Sequence, residues 1–123
     1  MANNYKQQFF YSFTKGLTAI QGTISLASGT TGVSSTSING ASAARTGVGE
    51  ITVTFTDLYQ ALVFGSAQVQ AATAQDIVPQ IKSVDLTAKT VVFRLLTGSS
   101  ATDPTGATVL YVNLFFRASS INP

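Results

Sequence analysis

The acidic side chains in this chain are Glu50, Asp57, Asp76, Asp85 and Asp103. A pair of carboxylates is enough for glycoside hydrolysis, one acting as acid and one as base or nucleophile. These five stand singly along the chain, so only the fold could bring two of them together. The sequence has no histidine and no cysteine. The commonest general base and metal ligand near neutral pH is therefore missing. Serine and cysteine triads cannot be assembled, and no thiolate or imidazole spacing suits zinc. No Asp-rich loop has the ligand pattern of an EF-hand. Gly47, Val48 and Gly49 place glycines at alternate positions, but they lead into a strand. Without a following helix N-terminus they read as a tight turn and not as a phosphate cradle. Asp57 directly follows a strand, while Asp85 and Asp103 fall in turn signals, where aspartate ordinarily bonds nearby backbone N–H groups. The expectation is a protein that is not an enzyme and uses no cofactor or metal. A carbohydrate-active enzyme is the disfavoured alternative.

The elements that would position these residues are strands. Ile51, Val53 and Phe55 alternate with Thr52, Thr54 and Thr56, so three apolar side chains share one face and three hydroxyls the other. Thr108, Leu110, Val112, Leu114 and Phe116 point one way, and Val109, Tyr111, Asn113, Phe115 and Arg117 the other. Both faces of this last run are partly apolar, which suits a central strand or one that meets a neighbouring subunit. Further strands are expected over 18–28, 61–71, 77–84 and 90–96. Pro79 removes a donor and points to an edge or bulge. Residues 85–89 read as a hairpin connection, and 71–75 as a short helical turn or part of a strand end.

Two stretches read as loops. Residues 28–49 are mostly Ser, Thr, Gly and Ala, with room for a short strand over 33–38. They are long for a loop inside a compact domain. Residues 97–107 carry the Asp103-Pro104 turn signal. Before the first strand, Phe9, Phe10, Tyr11 and Phe13 lie between Lys6 and Lys15 without a hairpin partner. Burying such side chains is worth on the order of 1.5–3 kcal/mol each, enough to anchor an arm on a core or on a neighbour. Lys6, Phe9, Phe10, Tyr11, Phe13 and Lys15 are the candidate partner-binding residues.

Composition narrows the partners. The chain has 123 residues, a length that fits one domain. Charged residues are 10% of it and apolar residues 45%, against about 25% charged in an ordinary soluble domain. Few charges remain to keep molecules apart, so self-association is expected, with a trimer as the expected state. The uncharged surface must be rich in Ser and Thr, which number 30. The net charge is +2, and residues 1–49 hold Lys6, Lys15 and Arg45 with no acid. Three dispersed bases are too few for a nucleic-acid footprint, and the lysine-flanked aromatics suit packing better than base stacking. The start MANNYKQQFFYSF lacks the apolar core of a secretory signal. No run of apolar residues is long enough to span a membrane.

The run ARTGVGEITVTFTDLY, a Gln/Ala-rich strand, and QIKSVDLTAKTVVFRLLTGSSATDPTGATVLYVNLFFRASSI together resemble small structural proteins of tailed bacteriophages. The pattern is a basic-Thr-Gly-x-Gly turn (45–49), a TVTxTD-Y strand (52–59), an SVD–KTV hairpin (83–91) and an Arg-x-Ser-Ser tail (117–120). It spans residues 16–121, and the order of the pieces carries it. The aromatic arm lies outside it. The resemblance implies a β-structured virion subunit made in the host cytoplasm and placed on the outer surface of the capsid. Its role would be a decoration, or cement, protein at junctions between major capsid proteins. The alternative is a head- or tail-fibre component that touches a host receptor through a loop such as 97–107. It carries no catalytic residues.

The expected fold is all-β: an antiparallel β-sandwich or small β-barrel of about six or seven strands (18–123) with an extended N-terminal arm (1–17). Ile51, Val53, Phe55, Leu110, Val112 and Leu114 are expected in its core.

Overall fold

Period-two alternation needs a second apolar surface to cover its inward face, and the chain supplies one by folding into two sheets. A computed structural model describes residues 17–118. They form an antiparallel β-sandwich. The first sheet has the order β2-β1-β9-β5, from Val33–Ile38, Leu17–Leu26, Thr108–Ala118 and Tyr59–Ala71. The second has the order β3-β4-β7-β6, from Ala41–Gly47, Glu50–Phe55, Thr90–Thr97 and Val78–Asp85, with the short β8 (Ser100–Ala101) also on β7. The first strand starts at Leu17, which pairs with Arg117, so the arm expected over 1–17 gives up its last residue to β1.

The inward faces are those the alternation indicates. Ile51, Val53, Phe55, Leu110, Val112 and Leu114 are all buried, together with Ile20, Ile24, Leu26, Val91, Phe93, Leu95 and Phe116. Phe55 and Phe116 meet at 4.7 Å between ring centres, and Tyr59 stacks on Phe116 at 4.7 Å. The final strand is central, between β1 and β5; its inward residues fill the core, while its outward apolar residues stand on a face that no second layer covers.

The structure departs from the expected count of strands in the segment 28–49. It holds two strands, β2 and β3, besides a 3-10 turn at Gly29–Thr31. β2 is the short strand allowed for over 33–38, while small residues hid β3. Ser, Thr and Ala make weak strand signals, and the pairing is enforced from outside by Ile24 opposite Thr36 and by Val53 opposite Ala43. The short helical turn considered at 71–75 does not form. Residues 72–77 carry the chain between the sheets, and Gln75 pins them: its Nε2 donates to Thr108 Oγ1 (3.1 Å) and its Oε1 accepts from Thr105 N (3.0 Å). Pro79 lies in β6, the sheet-edge position its missing N–H favours.

Candidate functional site

Three of the five acidic side chains, those of Asp103, Glu50 and Asp85, hold structural contacts. Asp103 accepts from Arg45 twice, Nε to Oδ1 at 3.0 Å and Nη2 to Oδ2 at 2.8 Å, and its Oδ1 also accepts from Gly49 N at 2.9 Å. The Arg45 hydrogen bonds, aided by the Gly49 N–H and the guanidinium charge, hold the Asp103 carboxyl below its ordinary value against the opposing effect of burial. Glu50 takes Lys82 at 2.6 Å. Asp85 accepts from Ala88 N at 3.0 Å within its own hairpin turn. Asp57 lies near Tyr59, whose phenol is pushed up first by burial and then by that carboxylate. Among the described residues no three of Asp, Glu, His or Cys gather into a metal-binding group.

The 97–107 segment, expected as a loop and offered as a receptor contact only in the fibre alternative, is exposed over 97–101 and fastened to the domain at 103–104. Asp103 points to Arg45, Pro104 is buried, and the Pro104 carbonyl accepts from Gly29 N at 2.8 Å. Gly49 completes this end of the sandwich. Its φ is +67°, and a Cβ there would sit 2.6 Å from Thr102 N and 2.9 Å from Leu95 O. Only glycine fits the turn that brings β3 into β4 under this segment.

What distinguishes the surface is the unequal treatment of the two outer faces. The register puts Glu50, Arg94 and Asp85 on the outer face of the second sheet, where Arg94 Nε donates to Gln80 Oε1 at 2.6 Å. On the first sheet the outward residues of β9 are Val109, Tyr111, Asn113, Phe115 and Arg117. They lie opposite Ser25, Thr23, Gln21, Ala19 and Leu17 of β1. On the other side they meet Gln70, Gln68, Ser66, Phe64 and Ala61 of β5. Apart from Arg117 at one end, this face bears no charge among the described residues. Gln21 Nε2 donates to Asn113 Oδ1 at 2.7 Å, and the Tyr111 hydroxyl donates to Gln70 Oε1. Phe64 packs edge-on against Phe115 at 6.0 Å while remaining 54% exposed, and Tyr111 is 41% exposed. A depression of about 250 Å³ lies between Ser66, Gln68, Tyr111 and Asn113.

No family model, curated protein or solved structure matches this chain. The six candidate residues of the arm, Lys6, Phe9, Phe10, Tyr11, Phe13 and Lys15, lie outside the described residues. The sequence marked the outward half of β9 as a possible subunit contact. It did not mark Gln21, Ser66 or Gln68, because scattered Ser and Gln carry no signal until pairing sets them side by side. Among the described residues no helix is long and apolar enough to cross a membrane.

Proposed function

We propose that this chain is a repeated structural subunit of a tailed-phage particle, a capsid decoration protein that stabilises the head at junctions between major capsid proteins. The observation that carries the reading is the uncharged outer face of the first sheet, set against a second sheet whose outer face bears charges. A domain that lived alone in solution gains from charge on every side, whereas a subunit packed in a shell needs one face it can cover without desolvating ions. The order of motifs from 45–49 to 117–120 supports the same reading.

In this reading the uncharged face meets neighbouring subunits and the aromatic arm meets the major capsid protein. Stabilisation comes from burial, modest in each subunit and repeated over the shell. The fibre alternative keeps an exposed surface at 97–101, while Asp103 and Pro104 of the same segment are spent on the domain itself. The test is decoration of particles that lack the protein, followed by imaging. Hundreds of copies spread over the head are expected. Deletion of residues 1–15 should leave cooperative unfolding intact while weakening particle binding severely. A few copies confined to the tail or a vertex would replace this reading with the fibre one.

A further inference from the structure

We infer that the outer face of the first sheet is the contact between two copies of this chain, packed sheet on sheet about a two-fold axis. The inference builds on the structural-subunit reading above and adds the partner and the symmetry. It begins at the edges of the sandwich. Two copies could join by extending a sheet, but that needs an unbroken row of free N–H and C=O groups. All four edge strands are interrupted. The pairing register skips Ser34 in β2, Thr46 in β3, Gln60 and Val63 in β5, and Lys82 in β6. Each extra residue kinks its strand and breaks the ladder. The central pairs β1–β9 and β4–β7 run without a skip. The edges are thus blunted, and association is left to the faces.

Of the two faces, the second sheet would bury the Glu50–Lys82 ion pair and the Arg94 guanidinium, at a desolvation cost that a pair of charges rarely recovers. Among the described residues the first sheet carries only Arg117, at one end of β9, where a contact centred on Gln68, Tyr111 and Asn113 leaves it at the rim. A two-fold axis imposes a further condition: groups near the axis face their own kind. Charges would then repel. An amide or hydroxyl both donates and accepts, so Gln68, Tyr111 and Asn113 can each pair with the same residue of another copy. Phe64 and Tyr111, half in water, supply aromatic anchors of the kind that dominate such contacts. The face is also large enough. Four strands at about 4.8 Å spacing and about ten residues at about 3.4 Å give on the order of 650 Å², near the roughly 800 Å² per partner of a standard stable interface.

The experiment is sedimentation equilibrium of the purified full chain, with no particle present. Wild type should be a dimer at micromolar concentration. Gln68→Lys sets like charges on both copies and should weaken the dimer by about a hundredfold or more, with an unchanged far-UV spectrum. Asn113→Lys should do the same, which guards against one variant failing to fold. Thr54→Lys, exposed on the opposite sheet, should leave the dimer intact. A wild-type monomer at about 100 μM would overturn the inference, and so would a dimer untouched by both lysines on the first sheet or broken by Thr54→Lys. A trimer would overturn it too, because a three-fold ring closes through two different patches. None of these results bears on whether the protein decorates a particle, which the imaging experiment reads separately.

Discussion

Arg45 and Asp103, 58 residues apart, meet through two parallel hydrogen bonds at one end of the sandwich. The pair joins the end of β3 to the crossover that leads into β9, and the third bond to Gly49 N fixes the β3–β4 turn to the same carboxylate. The stem of Arg45 lies against Gly32, where a Cβ would come within 2.8 Å of it, so the β1–β2 connection is held as well. One carboxylate thus unites three connections that the two sheets leave open. The planar guanidinium fork suits this two-point contact, and a lysine would not reproduce it.

Asp103→Asn should lower the melting temperature at neutral pH, and Arg45→Lys should recover little of what Arg45→Ala loses. The acid dependence has a definite sign. The folded-state carboxyl titrates below its ordinary value of 3.8. Its contribution is therefore fully present above about pH 4 and is lost as pH falls through the folded-state value. Thermal melts of wild type and Asp103→Asn should differ most above about pH 4 and converge on acidification. A constant gap across that range would mean that the carboxylate charge does not matter.

Phe55 is 1% exposed and touches the rings of Phe116 and Tyr59. Phe55→Ala should cost on the order of 3–5 kcal/mol through lost transfer energy and the cavity it leaves. Urea unfolding monitored by tyrosine fluorescence would show the midpoint falling with little change in slope.

Gly49→Ala should be far more costly than its single methyl suggests. The left-handed backbone alone penalises alanine by about 1–2 kcal/mol. The new Cβ also meets backbone atoms of Thr102 and Leu95, which cannot rotate away as a side-chain tip could. Differential scanning calorimetry of Gly49→Ala beside Gly98→Ala separates the two effects. Gly98 shares the positive φ but has open space where its Cβ would go, so its loss should be the smaller.

Lys89 closes the β6–β7 hairpin with φ +63°, and its carbonyl accepts from Phe55 N at 2.9 Å. A lysine in this region is strained, and Lys89→Gly should raise stability by about 0.5–1 kcal/mol after the entropy glycine gains in the unfolded chain is counted. A lower denaturation midpoint for that variant would show that the lysine side chain contributes more than the strain costs.

Local chemistry in the sequence determined the class of fold and most of its core. Ile51, Val53, Phe55, Leu110, Val112 and Leu114 are buried because strict alternation permits only one inward face, whichever strands lie beside them. The hairpin at 85–89 was legible for the same reason: Asp85 and its neighbours make the turn by local bonds. The strand β2 was legible only as room for a short strand over 33–38, and β3 not at all, since Ser, Thr and Ala carry weak strand signals of their own. Nor could spacing show that Asp103 would reach Arg45, or that Gln21, Asn113 and Gln68 would form one uncharged surface. Those are contacts between distant segments, and their partners are decided by strand order and register. Residue types set which side chains must leave water, while the packing of two sheets decided which of the remaining ones would stand together.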